Sequence, residues 1–189
     1  MKPVCLVLGA GAGIGGTVGK RFAQAGYHAV LCRRTDEAGL NALITDIEDS
    51  GGSASGYLLN AIDDNSIEER VAAIEAEIGP IEVVIYNLGA QIGNRGLEET
   101  SYKAFEMGWR MATFGLFRLA SVVCPLMEAR GKGTILVTSS TAAVRGQTSK
   151  EPAPASTYSC SVGLLYCRAQ MASRLPTSMR LYRKPAIAI

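Results

Sequence analysis

"LGAGAGIGG", residues 8–16, is the stretch on which the reading of this chain turns. Ahead of it, "PVCLVL" (3–8) is a short, uninterrupted apolar run. Such a run, without polar alternation, predicts a strand buried on both faces. Behind it, Ile14, Val18, Phe22 and Ala25 recur at helical spacing, and Gly26 stops them, so a helix is expected over 14–25. Glycines between a strand and a helix permit positive φ and let another group approach the backbone closely. The start of the helix adds unpaired N–H groups and the positive end of its dipole, a setting suited to phosphate. A glycine-rich turn alone is a weak signal, because a tight structural turn uses the same residues. The strand before it and the helix after it are the context that favours nucleotide binding. Gly9, Gly11, Gly13, Ile14 and Gly15 are the residues expected to meet the ligand.

The rest of the first 140 residues repeats the pattern. "HAVLC" (28–32) reads as a second strand. Thr35 is expected to cap a helix that carries Leu40, Leu43, Ile44 and Ile47 on one face. "SGYLLN" (55–60) reads as a third strand, and Ser66 with Glu69 as a capping box opening a helix with Ile67, Val71, Ile74 and Ile78. "EVVIYN" (82–87) and "GTILVTSS" (133–140) read as the fourth and fifth strands. Between them a long helix over 101–129 is expected, with Phe105, Trp109, Ala112, Leu116, Leu119, Val123 and Met127 as its stripe and Pro125 kinking or shortening its end. Strands alternating with helices imply βαβ crossovers and a parallel sheet.

The second strand ends at "CRRT" (32–35). In dinucleotide-binding folds an acid near this point holds a ribose 2′-hydroxyl, whereas arginine accommodates a 2′-phosphate. Here Arg33 and Arg34 occupy it and the first acid is Asp36, so NADP(H) is expected over NAD(H). The plain alternative is a solvated pair at a strand end.

Composition sets the limits. The 189 residues are 48% hydrophobic with a formal net charge of +2, which fits one packed domain and gives no general pull toward nucleic acid or anionic lipid. Residues 1–147 hold 13 of the 19 basic and 16 of the 17 acidic side chains; residues 148–189 hold the remaining six bases and only Glu151. A dinucleotide-binding domain over 1–147 is therefore expected, with a divergent basic tail over 148–189. That tail reads either as a docking segment with one helix or as sequence outside the fold, such as an altered end. Five cysteines without a C-x-x-C pair suggest reduced thiols and a cytoplasmic protein. No apolar run of about 18–20 residues is apparent, so no membrane span is expected. His28 is the single histidine. Without a partner base it excludes a Ser-His-Asp triad, and it reads as a turn residue at a strand start. Neither it nor the cysteines show metal-ligand spacing.

Taken together, these residues resemble the short-chain dehydrogenase/reductase family. Gly9, Gly13 and Gly15 match its T-G-x-x-x-G-x-G loop, with Leu8 for the threonine. "YNLG" (86–89) resembles its N-N-A-G element through Asn87 and Gly89. Asn60, followed by Ala61, falls where the family's aspartate meets adenine. "GTILVTSSTAAVRG" (133–146) resembles the segment carrying the catalytic serine, which maps to Ser140. The resemblance implies a Rossmann-like, doubly wound parallel α/β sheet. It implies hydride transfer between a nicotinamide ring and a small carbonyl or alcohol substrate, without nucleic acid or membrane partners, and a homo-oligomer through the helix at 101–129. It also implies a tyrosine acid or base backed by a lysine four residues on. Tyr158 is the candidate tyrosine, 18 residues beyond Ser140, but Val162 stands at the lysine position, and Ala112 stands for a helix asparagine that supports a relay water. A phenol without a nearby cation keeps a pKa of about 10 and is a poor base at neutral pH. The family's further strands and Pro-Gly turn find no match, so the sheet is expected to be truncated at the C-terminus. Two readings stand: a short-chain oxidoreductase, or a catalytically impaired dinucleotide-binding relative.

Overall fold

The computed structural model describes residues 1–89 and 99–139. Five described strands, β1 (Val4–Leu8), β2 (His28–Arg33), β3 (Ser53–Leu58), β4 (Ile81–Tyr86) and β5 (Thr134–Val137), form one sheet in the order β3-β2-β1-β4-β5. Every pairing is parallel, and the first two strands run in step from Val4↔His28 to Leu8↔Cys32. Helices α1 (Ile14–Gln24), α2 (Glu37–Asp49) and α3 (Ser66–Glu77) make the first three crossovers. The fourth runs through α4 (Tyr102–Trp109), a π-helical turn (Arg110–Phe114) and α5 (Gly115–Arg130).

Strand side chains alternate between two buried layers. Val4, Leu6 and Leu8 join Val30, Cys32, Val84 and Tyr86 in the layer with α3 and α5. Cys5 and Val7 join Ala29, Leu31, Val83 and Ile85 in the layer with α1 and α2. Helices on both faces explain why the strands read as continuous apolar runs. Each fully buried leucine or isoleucine contributes about 1.5–3 kcal/mol.

Several local expectations are corrected. The cap of α2 is Asp36, whose carboxylate accepts from the Gly39 N–H at 3.0 Å, and not Thr35. β3 lies two residues earlier than its apolar residues suggested, because Ser53–Leu58 pairs residue by residue with His28–Arg33. Ser66 and Glu69 form no capping box. Asn65, at φ 59°, precedes α3, and the Ser66 hydroxyl turns back to donate to the carbonyls of Asn60 (2.8 Å) and Asp63 (2.9 Å). Pro125 lies inside α5, which continues to Arg130; the proline faces solvent, as does Ser121 one turn earlier. His28 is the first residue of β2, not a turn, with its ring nitrogens 2.5 Å from Ser53 Oγ and 2.8 Å from Ser55 Oγ.

Leu116, Leu119, Val123 and Met127 are buried as expected, whereas Phe105 and Trp109 are 39% and 37% exposed. The π turn, Arg110–Phe114, adds a residue between α4 and α5 and shifts the apolar stripe around the axis. The helical stretch Tyr102–Arg130 has the length and apolar composition of a membrane span, a test that the buried core helix of a globular domain passes equally, so the sequence expectation of no membrane span is not overturned. Arg110 and Arg118 interrupt it in the sequence, and its apolar side packs on β4 and α3.

Candidate functional site

The strand order reverses direction at β1. Its neighbours are β2 on one side and β4 on the other, so the topological switch point, where sheets of this kind form their ligand crevice, lies beyond the C-terminal ends of β1 and β4. The glycine loop lies there. Gly9 has φ +89°, and its N–H and that of Ala10 both donate to the Cys32 carbonyl at 3.0 Å. A left-handed residue is needed to turn both amides toward one acceptor, which favours glycine. Gly11 and Gly13 differ: a Cβ at either would meet no atom of the described residues within 4 Å. Their missing side chains leave open a space that the described residues do not fill.

The N-terminus of α1 has the character of an anion site. Gly13 offers no side-chain cap, and the first turn carries no acid. The first N–H groups of a helix have no acceptor within it. The Gly16 N–H is taken by the Gly11 carbonyl at 2.8 Å, which leaves the amides of Ile14 and Gly15 and the positive dipole end for a phosphate. Ile14, the first helical residue, is 60% exposed at this mouth.

Asn87 ties the crevice together. Its N–H donates to the Leu8 carbonyl (2.9 Å), its Nδ2 to the Gly9 carbonyl (2.9 Å), and its Oδ1 accepts from the Thr138 hydroxyl (2.8 Å). A Cβ on Gly15 would lie 2.9 Å from Asn87 Nδ2 and collide with the Gly9 carbonyl, so α1 approaches this closely only as glycine. Thr138, which the sequence reading passed over, fixes the end of β5; its N–H also donates to the Tyr86 carbonyl at 3.0 Å. The threonine two residues before the candidate serine was the available signal. A Cβ on Gly89 would meet no atom of the described residues within 4 Å.

Arg33 reaches into the glycine loop. Its Nε donates to the Ala10 carbonyl at 2.7 Å, its Nη1 to Asp36 Oδ2 at 2.6 Å, and its side chain is 11% exposed. Arg34 is exposed. Asp36 is thus already engaged twice, by Arg33 and by its own helix. Across β2, the Leu59 N–H donates to the Arg33 carbonyl (2.7 Å), which brings Asn60 and the buried Ala61 beside the same strand end. Asn60 donates from Nδ2 to Asp63 Oδ1 at 2.8 Å, and Ser66 holds its carbonyl.

Ala112 lies in the π turn, 8% exposed, with only a methyl to offer. The candidate catalytic residues Ser140 and Tyr158, together with Val162 and the tail, lie outside the described residues. The structure therefore gathers Gly9, Gly11, Gly13, Ile14, Gly15, Arg33, Asn60, Ala61, Asn87 and Gly89 around the C-terminal ends of β1, β2, β3 and β4. The fit to a dinucleotide rests on the uncapped helix, the open glycines and the buried arginine.

A family model described as short chain dehydrogenase matches residues 3–161, past the composition break near Gly146. The chain is 35% identical over 139 residues to a fatty acyl-CoA reductase of Acinetobacter baylyi, covering 72% of this chain and 46% of that protein. It is 34% identical over 131 residues to a gluconate 5-dehydrogenase of Gluconobacter oxydans, covering 69% and 50%. It spans about half the length of these curated relatives. A crystal structure of an actinorhodin polyketide ketoreductase variant with NADPH superposes with a TM-score of 0.79 at 27% identity, covering 91% of this chain and 65% of that one. The glycine loop at the switch point, the parallel sheet and these matches agree: the chain belongs to the short chain dehydrogenase family.

Proposed function

We propose that the chain is an NADP(H)-dependent oxidoreductase of the short-chain type, acting on a carbonyl or alcohol group of a small molecule. The observation that carries this reading is Arg33. Its guanidinium is largely buried, hydrogen-bonded to the glycine loop at Ala10, and stands at the end of β2 where a ribose would lie. The uncapped start of α1 would take the pyrophosphate through the amides of Ile14 and Gly15. Arg33, with Arg34 beside it, would take a 2′-phosphate. Asn60 and Ala61 would face the adenine. The relative crystallised with NADPH supports this preference.

The bound nicotinamide would supply or accept the hydride. In this chain, Ser140 would donate a hydrogen bond to the substrate oxygen, and Tyr158 would give that oxygen its proton or take it away. Thr138 stands two residues before Ser140 and is anchored to Asn87 and Tyr86, which supports delivery of the serine to the crevice mouth. Residues 1–147 form the dinucleotide-binding unit in this reading, with 148–189 as a basic tail. A second copy would dock on the exposed row formed by Trp109, Phe114 and Phe117, whose successive ring centroids lie 5.3 and 6.4 Å apart. The buried, reduced cysteines Cys5, Cys32 and Cys124 are in keeping with a cytoplasmic setting.

A second reading has specific support. Ala112 replaces the relay asparagine and Val162 the lysine, so a catalytically impaired dinucleotide-binding protein is the rival. The deciding experiment is a fluorescence titration with NADPH and NADH, followed by turnover assays of Val162→Lys over a panel of small carbonyls. Saturable binding that favours NADPH, weakened by Arg33→Ala, supports the site. Equal binding of both cofactors sinks the NADP preference. Turnover that is absent from the parent chain and present in Val162→Lys would favour the impaired reading.

A further inference from the structure

One buried cation outside the crevice reaches the loop that forms its adenine side. Arg118, on α5, has a side chain 10% exposed. Its Nε and Nη2 pair with the two oxygens of Glu68 at 2.8 and 2.5 Å. Its Nη1 donates to the carbonyls of Ala61 at 3.2 Å and Asp63 at 3.0 Å. All three guanidinium nitrogens are therefore used, two on the first turn of α3 and one on the loop between β3 and α3.

The loop has few other anchors. Asn60, Asp63 and Ser66 bond to one another, and Leu59 bonds to Arg33 at its entrance. These contacts shape the loop without tying it to the helix layer beneath. Among the described residues, the hydrogen bonds that reach residues 60–64 from a distant element are those of Arg118. Bonds from a charged donor to main-chain carbonyls are strong and directional, and arginine supplies the fixed fork that lysine lacks.

We propose that Arg118 is a positioning residue for the dinucleotide. By gripping Ala61 and Asp63 from α5, it sets the place of Asn60 and so the recognition of the adenine end. The inference rests on the cofactor reading above. It also links the helix that carries the π turn to the cofactor crevice, so a displacement of α5 is felt at the loop.

The test uses the full chain and four measurements: affinity for NADPH, affinity for its deamino analogue with hypoxanthine in place of adenine, thermal midpoint, and amide exchange of residues 59–66. Arg118→Met is expected to weaken NADPH by roughly tenfold, to flatten the preference for adenine over hypoxanthine, and to speed exchange in the loop. Arg118→Lys is expected to restore little of this, because it lacks the fork. Glu68→Gln keeps the two carbonyl bonds and should retain most of the adenine preference even if its thermal midpoint drops. A lowered midpoint in all three variants with the adenine preference unchanged would make Arg118 merely structural and overturn the proposal. If Arg118→Met does not fold, the lysine and glutamine variants decide on the same criteria. If the parent chain binds neither NADPH nor 2′,5′-ADP, the cofactor reading falls and this inference with it. If the parent binds both and Arg118→Met binds them equally well, only the inference falls.

Discussion

The buried Tyr86 hydroxyl donates to the main-chain carbonyl of Met111, in the π turn of the long helix. A π turn hydrogen-bonds from i to i+5, as the Gly115 N–H does to Arg110, and its wider ring leaves carbonyls poorly matched to the helix. Tyr86 supplies a donor at that point from the end of β4. Its ring is fully buried and its hydroxyl lies against Gly115, where a Cβ would collide with it. A tyrosine at 86, a glycine at 115 and a π turn between 110 and 114 are thus one arrangement.

Tyr86→Phe should cost about 1–2 kcal/mol, the loss of a buried hydrogen bond with its acceptor left behind. Gly115→Ala should cost more, because the new methyl meets the Tyr86 oxygen. In the Tyr86→Phe background that penalty should shrink, since the nearest ring carbon, Cζ, is 3.6 Å from the added Cβ. A double-mutant cycle by urea unfolding measures this; strictly additive costs would contradict the arrangement.

The π turn also marks where the sequence ceased to be readable. The apolar spacing from Phe105 to Met127 fits a single α-helix, and a one-residue insertion leaves that spacing almost untouched. Only packing shows that Phe105 and Trp109 have rotated outward. Elsewhere the legible features are those set by strong local chemistry: buried strands with both faces covered, and the glycine loop between β1 and α1. The illegible ones depend on distant partners. Ser66 and Glu69 have the spacing of a capping box, yet Ser66 serves the Asn60 and Asp63 carbonyls instead. Glu68, an acid on the first turn of α3, is the ion-pair partner of Arg118, fifty residues away, a pairing no local spacing announces. Thr138 became visible only when β5 was placed beside β4.

Acid should loosen the β2–β3 edge. Burial lowers the pKa of His28, the charge of Lys2 adds to the effect, and Glu48 opposes it. The ring sits between two serine hydroxyls, each able to donate or accept, so burial rather than these contacts sets the direction. With the folded value below the unfolded one, the unfolded chain binds more protons in the window between them, so stability rises with pH there. The contribution is full above about pH 6.5 and is lost as pH falls through that window. Urea midpoints compared at about pH 5 and about pH 7.5 should differ more in the parent than in His28→Gln. An equal difference in both would remove His28 from the account.

Two thiols should be silent. Burial pushes Cys5 up to about 12, and Cys32 likewise to about 12 despite the opposing charge of Arg70. Almost no thiolate forms at pH 8, and neither side chain is accessible. Peptide mapping after alkylation should find Cys5 and Cys32 unmodified in the native protein and modified in urea. Rapid native labelling at either site would mean that β1 or β2 opens readily.

Asp36 sets a limit on the cofactor preference. Its carboxylate takes one Arg33 nitrogen at 2.6 Å and caps α2 through Gly39. A 2′-phosphate arriving at Arg33 would meet a guanidinium already shared with an anion, and a negative charge close by. Asp36→Asn keeps an oxygen for the Gly39 N–H, so the helix start should survive with little change in stability. It removes the competing charge and frees Arg33. The ratio of NADPH to NADH affinity should therefore rise by about tenfold, roughly the value of one charge-assisted hydrogen bond, and most at low salt, where exposed charges are least screened. Paired fluorescence titrations of the parent and the variant at two ionic strengths give the answer. If the ratio stays flat, Arg33 is committed to the fold through Ala10, and the 2′-phosphate preference must come from Arg34 alone or be absent.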